Sequence, residues 1–292
     1  MRVLVIGGTK FLGPYVVRIL MARGHEVTVF HRGETESRLL PAVHHIHDSR
    51  AAIPVTEFPR AVLDLTPDVV IHMIAMGEAD ARAAIKTFLA RAGRIVWLSS
   101  GDVYRAYGRL TGIEPGPVEV GLLTEESPLR SVLYPYRKSA ACTTDLNYFY
   151  EKILVEKVAL ENRDAPSVVL RLPKMYGPGG NQDLATIYRH RHQGAWRWTH
   201  GYVENVAAAI VLAATHPAAV RRIYNVGESY TPTMAERLRS LPPWDLAPDF
   251  NRDFCFLHDI ACDTTRIRSE LGYREPVSYQ EGIRRTLARG EE

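Results

Sequence analysis

A tyrosine and a lysine four residues apart, Tyr148 and Lys152, are the pair in this sequence best suited to acid–base chemistry. Hydride transfer to or from an alcohol carbon needs a group that moves the hydroxyl proton, and a free tyrosine, with a pKa of about 10, is a poor base at neutral pH. A nearby ammonium group favours the phenolate and makes a tyrosine usable. The i, i+4 spacing puts both side chains on one helix face, so we predict a helix from about Tyr148 to Glu161.

Two other tyrosines compete for this role. Tyr134 begins a second Tyr-x-x-x-Lys pattern, but Pro135 and the loop-like surroundings disfavour a helix there. Tyr150 also lies close to Lys152 along the chain. We favour Tyr148 because it continues the predicted helix, while packing with a hydrogen-bonded hydroxyl stays the alternative for each tyrosine.

A glycine-rich turn near the N-terminus has the residues that a phosphate site needs. It follows the buried strand predicted at Val3–Ile6, opens a helix, and consists of Gly7, Gly8, Thr9, Lys10, Phe11, Leu12 and Gly13. Glycine permits close backbone approach to a pyrophosphate, and a helix N-terminus supplies N–H donors. A plain strand-to-helix turn is the alternative, but the strand–turn–helix context favours a dinucleotide site.

The end of the second predicted strand, Glu26–Phe30, indicates which dinucleotide binds. A carboxylate there would accept from the ribose 2′-hydroxyl of NAD, but the chain has Arg32 instead. A guanidinium suits the 2′-phosphate of NADP because it donates two parallel hydrogen bonds, and Lys10 could assist. We therefore predict NADP, with NAD as the alternative and a solvated Arg32 stacked on adenine as the competing interpretation. Asp48 could accept from the adenine amino group or be a surface acid.

Strands alternate with helical patterns along the chain. The predicted strands are Val3–Ile6, Glu26–Phe30, His44–His47, Asp68–Met73, Arg94–Leu98, Ser167–Leu172 and Ile223–Val226. This alternation predicts an α/β fold: a doubly wound parallel Rossmann sheet with a small C-terminal substrate-binding portion. We expect a dinucleotide-binding domain over 1–175, with a Gly- and Pro-rich loop inserted at 105–147. A mainly substrate-binding portion, interleaved with the sheet, should cover 176–292.

Composition narrows the class of protein. The 292 residues are 46% hydrophobic and carry a net charge of +3, which permits a sizeable core and an anionic substrate but is too weak to indicate nucleic acid. The cysteine count, 3, is odd and includes no Cys-x-x-Cys pair, as expected in a reducing compartment. We find no signal peptide and no membrane-spanning run, so we expect a cytoplasmic protein.

Four motifs together resemble the extended short-chain dehydrogenase/reductase superfamily, the NAD-dependent epimerase/dehydratase group. They are the turn at 7–13, Leu98-Ser-Ser-Gly-Asp-Val-Tyr104, Tyr148-x-x-x-Lys152-Ile-Leu-Val-Glu156, and Arg171-Leu-Pro-Lys-Met-Tyr-Gly-Pro-Gly179. The resemblance covers nearly the whole chain. Two features look more like the atypical branch, which includes chloroplast stem-loop-binding-like proteins. The turn has Lys10 where a related pattern has glycine, and the second predicted strand is followed by Arg32.

The resemblance implies further roles. Ser100 matches the hydroxyl that hydrogen-bonds the reacting oxygen, and Lys152 matches the lysine that also holds the nicotinamide ribose. It further implies cofactor contacts from Ala75, Ser99 and Pro173. By spacing from Ser100, Tyr134 fits the family pattern better than Tyr148 does.

The substrate side departs from the family. The stretch 180–195 is shorter than in relatives, which puts a standard nucleotide-sugar site in doubt. Arg189, Arg191 and Arg197 could meet a phosphate or form a solvated basic face. The family often dimerises through the helix bearing its Tyr-x-x-x-Lys pattern, so we expect a homodimer.

Three clustered histidines raise the question of a metal. His45 and His47 point the same way along a strand, but only Asp48 lies near enough in sequence to complete a shell with them and His44. The resemblance also implies no metal, so we expect none.

Two functions follow. The first is an NADP-dependent oxidoreductase, epimerase or dehydratase acting on a small-molecule sugar or nucleotide sugar, with Ser100, Tyr148 and Lys152 as catalytic residues. The second is a dinucleotide-binding protein with little catalysis, a redox sensor or RNA-binding protein, although we expect no nucleic-acid partner.

Overall fold

The computed structural model describes residues 1–35, 43–49, 52–162, 164–178, 183–244 and 254–288, with Asp183 described by its backbone alone. The apolar runs of the sequence become its strands. These are β1 (Arg2–Ile6), β2 (Glu26–His31), β3 (His44–His47), β4 (Val69–His72), β5 (Arg94–Ser100), β6 (Ser167–Leu172), β7 (Lys174–Tyr176), β8 (His200–Tyr202) and β9 (Arg222–Asn225).

A seven-stranded sheet has the order β3-β2-β1-β4-β5-β6-β9, and β7 pairs with β8 in a separate two-stranded sheet. The pairs β1–β2, β1–β4, β2–β3 and β4–β5 are parallel. The order in which strands are added reverses at β1: β2 and β3 lie on one side of it, and β4, β5, β6 and β9 lie on the other. Doubly wound folds bind ligands outside this switch point. The predicted Rossmann sheet is therefore confirmed.

Helices connect the strands. They are α1 (Leu12–Ala22), α2 (Arg60–Leu63), α3 (Glu78–Phe88), α4 (Arg105–Leu110), α5 (Leu146–Phe149), α6 (Lys152–Glu161), α7 (Asp183–Arg189), α8 (Val203–Thr215), α9 (Met234–Arg239), α10 (Thr265–Leu271) and α11 (Tyr279–Ala288). None of the described helices is long and apolar enough to cross a membrane.

The region predicted as one long loop, 105–147, contains the helix α4. Its Ala106, Tyr107 and Leu110 side chains are buried, and this apolar face at helical spacing explains why the segment is ordered despite its glycines and prolines. The loop prediction is wrong for these six residues.

The central strands are mostly apolar, as expected of parallel strands buried on both faces. Val5, Ile71 and Val96 are fully buried, and each such side chain contributes about 1.5–3 kcal/mol by leaving water. The buried Trp97 indole N–H donates to Ser167 Oγ at 3.0 Å, so β5 and β6 are also joined through side chains.

The chain forms two compact units. Unit 1 consists of Met1–Ser100, Leu133–Arg171 and Ala207–Tyr224. Unit 2 consists of Gly101–Val132, Leu172–Val206 and Asn225–Glu292. Each unit is thus assembled from segments that are distant in sequence.

A buried histidine in β4 makes the fold sensitive to acid. His72 is fully buried against Trp97, and burial, followed by the charge of Lys152, lowers its pKa to about 3. Below its unfolded value near 6.5, the unfolded chain takes up a proton that the folded chain does not. Stability contributed by neutral His72 is therefore lost as the pH falls from about 6.5 toward 3.

We expect His72→Phe to remove this acid-dependent loss of stability while keeping an aromatic ring of similar size. Between pH 7 and pH 5, urea unfolding should show that the variant loses about 2 kcal/mol less stability than the parent chain, since each pH unit below 6.5 counts for about 1.4 kcal/mol. Equal losses in the two proteins would contradict the assignment.

Candidate functional site

The glycine turn between β1 and α1 is tightly folded. Gly7 and Gly8 have φ angles of 89° and 91°, which favour glycine. A Cβ atom on Gly13 would lie 2.2 Å from Gly8 Cα, so the start of α1 packs directly on the turn. The backbone can therefore approach a ligand closely here, as the sequence predicts.

The N-terminus of α1 has no side-chain cap. Phe11 precedes the helix with φ 42° and ψ −93°. The first N–H groups of a helix have no partner within the helix, and the helix dipole attracts a phosphate. In α1, the Gly13 N–H donates to the Lys10 carbonyl at 3.0 Å and Pro14 has no N–H, so these two positions offer no donor. Nearby, Lys10 is exposed and the Thr9 hydroxyl lies 3.0 Å from that of Thr35.

The carboxyl ends of β2 and β3 carry the two residues predicted at the adenosine end of the cofactor. Arg32 follows β2, is exposed and pairs with Glu34 at 2.8 Å. Asp48 follows β3, and its backbone N–H donates to the His31 carbonyl at 3.1 Å. Parallel pairing thus puts Arg32 and Asp48 at neighbouring strand ends.

Lys152 is buried at the start of α6. Its ammonium donates to the carbonyl oxygens of Ala75, at 2.5 Å, and Leu98, at 3.0 Å. Its Nζ also lies 5.6 Å from the centre of the Tyr150 ring. The cation is therefore held where β4 and β5 end, beside the predicted contact residue Ala75.

The helix predicted from Tyr148 to Glu161 is wrong in its first turn. Tyr148 lies in the short α5, and Lys152 begins α6, so the two side chains do not share a helix. The cause is Glu151, whose backbone is extended and whose carboxylate accepts from the N–H of Ile153 at 2.9 Å, capping α6. An acid directly before a helix was the sequence signal for this cap.

Tyr134 and Tyr148 lie against one cation. The guanidinium carbon of Arg137 is 3.4 Å from the centre of the Tyr134 ring and 4.7 Å from that of Tyr148. Arg137 Nε also donates to the Tyr148 carbonyl at 2.8 Å. Tyr134 has a φ of 57° and precedes a 3₁₀ turn at Arg137–Ser139, so it does not share a helix with Lys138. Arg137 was not among the predicted site residues, although it lies within the rival Tyr-x-x-x-Lys pattern.

The two serines at the end of β5 have different surroundings. Ser99 is buried and donates to Glu156 Oε1 at 2.5 Å, and Glu156 in turn pairs with buried Arg171 at 2.7 Å. Ser100 is the last residue of β5 and is partly exposed. Ser100 is therefore the better placed of the two to meet a ligand, whereas Ser99 anchors an internal ion pair.

Unit 2 contains the other predicted contact residues. Pro173 follows β6. Its ring packs against Gly201, since a Cβ atom added to Gly201 would lie 2.8 Å from Pro173 Cγ. Arg189 ends α7, and Arg191 donates to the Tyr188 carbonyl at 2.9 Å. Arg197 precedes β8. None of these contacts tests whether the three arginines bind phosphate, so this role stays a prediction.

A cavity of about 390 Å³ also lies in unit 2. Glu228, Glu275 and His200 are among its lining residues. Burial, and then the charge of Arg237, lowers the pKa of His200 well below its ordinary value, so this imidazole is neutral. The described lining residues include no lysine or arginine, and Glu228 and Glu275 are each paired with an arginine, so the cavity offers little positive charge to a phosphate group.

Comparisons with known proteins agree with this architecture. Residues 3–113 match the model of the NAD dependent epimerase/dehydratase family. Among curated proteins, the chain is 22% identical over 253 residues to chloroplast stem-loop binding protein of 41 kDa b of Arabidopsis thaliana. That match covers 78% of this chain and 59% of the relative's length.

Solved structures share the fold over the whole chain. Pal from Bacillus thuringiensis has a TM-score of 0.74 at 17% identity, covering 100% of this chain and 99% of its own. UDP-glucose 4-epimerase of Thermus thermophilus, solved with NAD, has a TM-score of 0.70 at 23% identity, with the same coverage. At such identities the likeness establishes the fold alone.

Proposed function

We propose that this chain, whose residues 3–113 match the NAD dependent epimerase/dehydratase family, binds NADP(H) and transfers a hydride to or from a sugar or nucleotide-sugar substrate. The observation that carries the cofactor proposal is the turn from Gly7 to Gly13. It combines two glycines with positive φ, backbone packing against α1 and a helix N-terminus without a side-chain cap, and these features support a pyrophosphate-binding role.

The preference for NADP rests on Arg32. The solved Thermus thermophilus epimerase holds NAD, which calls for an acceptor at the ribose 2′-hydroxyl. This chain has a guanidinium at the end of β2, and Lys10 lies exposed in the turn. A 2′-phosphate would replace Glu34 as the partner of Arg32 and gain charge-assisted hydrogen bonds.

Arg32→Ala should weaken NADP binding by about 10-fold to 100-fold, the loss of one to two charge-assisted hydrogen bonds, and leave NAD affinity within about threefold. Calorimetric titration with both cofactors measures the two effects. The control is Arg18→Ala, which removes an exposed arginine from α1. An equal loss for NADP and NAD, or tighter binding of NAD by the parent chain, would reject the NADP assignment.

The proposed chemistry uses three residues of unit 1. Tyr148 would transfer the hydroxyl proton, Ser100 would hydrogen-bond the reacting oxygen, and the Lys152 ammonium would favour the phenolate and orient the nicotinamide ribose. The bound cofactor supplies the hydride. The carbonyls of Ala75 and Leu98 accept hydrogen bonds from Lys152, which holds its charge at the strand ends.

A substrate panel tests the chemistry. UDP-glucose, UDP-glucuronic acid and their unphosphorylated sugars should be incubated with the chain and NADP, while nicotinamide absorbance and product stereochemistry are followed. We expect reduction of the cofactor or epimerisation of at least one nucleotide sugar. Cofactor binding without turnover on any member of the panel would favour the second function below.

The second candidate is dinucleotide binding with little catalysis, linked to RNA. The break between α5 and α6 supports it, because Tyr148 and Lys152 lack the shared helix that the usual arrangement requires. The chain is also similar to a stem-loop binding protein, of which it covers 59%. An RNA role predicts that affinity for a stem-loop falls steeply as salt rises from about 50 to about 200 mM, and the absence of binding at low salt would remove this candidate.

A further inference from the structure

Three imidazoles lie on one face of the sheet, at the carboxyl ends of β2 and β3. His45 and His47 alternate with His44 and Ile46 along β3, so both point to the same face. The parallel register pairs His31 of β2 with His47 of β3. The fold therefore adds a third histidine to the two that the strand alone aligns.

The nitrogen atoms of these rings are close together. His31 Nε2 lies 2.8 Å from His45 Nδ1, and the centre of the His31 ring is 4.4 Å from that of His47. Across all three residues, one ring nitrogen of each lies within 4.8 Å of the others. In a tetrahedral zinc site, ligands about 2.0–2.1 Å from the ion lie about 3.3–3.4 Å apart. Small rotations of the three rings are therefore enough to bring their nitrogens to this spacing.

We propose that His31, His45 and His47 form a binding site for a divalent late transition-metal ion, with Zn²⁺ as the favoured occupant. Imidazole nitrogen is a preferred ligand of this ion, and three histidines leave a fourth tetrahedral position for water. His31 is buried, His45 is half-buried and His47 is exposed, so the ion can enter from solvent on the His47 side.

Binding breaks two hydrogen bonds. The N–H of Gly33 donates to His31 Nδ1 at 3.2 Å, which puts the ring proton of neutral His31 on Nε2, so this nitrogen donates to His45 Nδ1 at 2.8 Å. Coordination through Nε2 moves that proton to Nδ1, so both the hydrogen bond to His45 and the contact with Gly33 are lost. Three metal–nitrogen bonds replace these two hydrogen bonds.

An ion in this site joins two strands. β3 has four residues and lies at the edge of the seven-stranded sheet, beside β2. Coordination by one histidine from β2 and two from β3 cross-links this edge, so metal binding is expected to raise the melting temperature of the chain.

The test uses the full chain without a histidine tag, stripped with a chelator and dialysed. Co²⁺ is titrated first, because four-coordinate Co²⁺ absorbs visible light strongly, and Zn²⁺ is then titrated against a chromophoric chelator. We expect one ion per chain, displacement of Co²⁺ by Zn²⁺ and a higher melting temperature with Zn²⁺. His47→Asn, at the exposed member of the cluster, should weaken Zn²⁺ binding by more than about tenfold.

Matched variants separate this site from adventitious binding. His31→Asn and His45→Asn should weaken Zn²⁺ binding like His47→Asn, whereas His44→Asn, on the opposite face of β3, should leave it unchanged. Circular dichroism confirms that each variant is folded. Absence of the four-coordinate Co²⁺ spectrum, or equal affinity in the His47→Asn and His44→Asn variants, would overturn the proposal whatever cofactor the chain binds.

Discussion

Replacing Gly13 with alanine is expected to lower NADP affinity by at least about a hundredfold. The added Cβ would lie 2.2 Å from the Gly8 Cα and carbonyl oxygen, so the turn must move away from α1. Movement of the turn misaligns the backbone donors that hold the pyrophosphate. Loss of two charge-assisted hydrogen bonds, at about 1.5–3 kcal/mol each, corresponds to a hundredfold or more.

The control for this variant is Gly24→Ala, at the other end of α1. Gly24 also has a positive φ, 76°, but a Cβ there meets no atom within 4 Å. Gly24→Ala should lower the free energy of unfolding by about 1 kcal/mol through backbone strain and leave cofactor affinity unchanged. Fluorescence titration with NADPH and urea unfolding compare the two variants. NADPH binding by Gly13→Ala at parental affinity would contradict the assigned role of the turn.

Tyr148→Phe is expected to reduce turnover by about 10²-fold to 10⁴-fold, the usual contribution of a general acid or base, with NADP affinity unchanged. The substitution removes the hydroxyl and keeps the ring against Arg137. Tyr134→Phe and Tyr150→Phe should each change turnover by less than about threefold. The measurement is kcat for the three variants on whichever nucleotide sugar the panel identifies.

The comparison of the three variants either identifies the tyrosine that transfers the proton or rejects this role for all three. A loss confined to Tyr134→Phe would move the role to the tyrosine that lies 3.4 Å from the Arg137 guanidinium carbon. A loss confined to Tyr150→Phe would move it to the ring beside the Lys152 ammonium. Turnover unaffected in all three variants would reject tyrosine-assisted hydride transfer.

The sheet could be predicted because its signals are local. Short runs such as Val3–Ile6 are apolar at every position, and glycines mark where they end, so the strands, their alternation with helices and the first turn follow from neighbouring residues. His44–His47 and Ser167–Leu172 match the observed strands at both ends.

The break between α5 and α6 depends on contacts that no sequence window contains. Glu151 is fully buried, its N–H donates to the Met76 carbonyl at 2.8 Å, and its carboxylate accepts from the N–H of Tyr134. These long-range hydrogen bonds outweigh the helical pattern that runs through Tyr148 and Lys152. The residue types of the candidate site could therefore be chosen from the sequence, but the arrangement of Tyr148 relative to Lys152 could not.

The histidine cluster was missed for a related reason. His45 and His47 share a face by strand alternation, but His31 joins them only through the parallel register of β2 and β3. Once two neighbouring strands are predicted, aligning their carboxyl ends is enough to find such a residue. The residues of β3 alone place two histidines on one face, so the sequence predicts no metal. The proposed site of three histidines departs from that prediction.

The proposed dinucleotide site is tested most directly by titrating the purified, tag-free chain with NADPH and, under the same conditions, with NADH, while nicotinamide fluorescence is followed. We expect saturable binding of one NADPH per chain, at least about tenfold tighter than NADH, because the 2′-phosphate gains the Arg32 guanidinium. Absence of saturable binding of either cofactor would show that the Gly7–Gly13 turn is not a dinucleotide site.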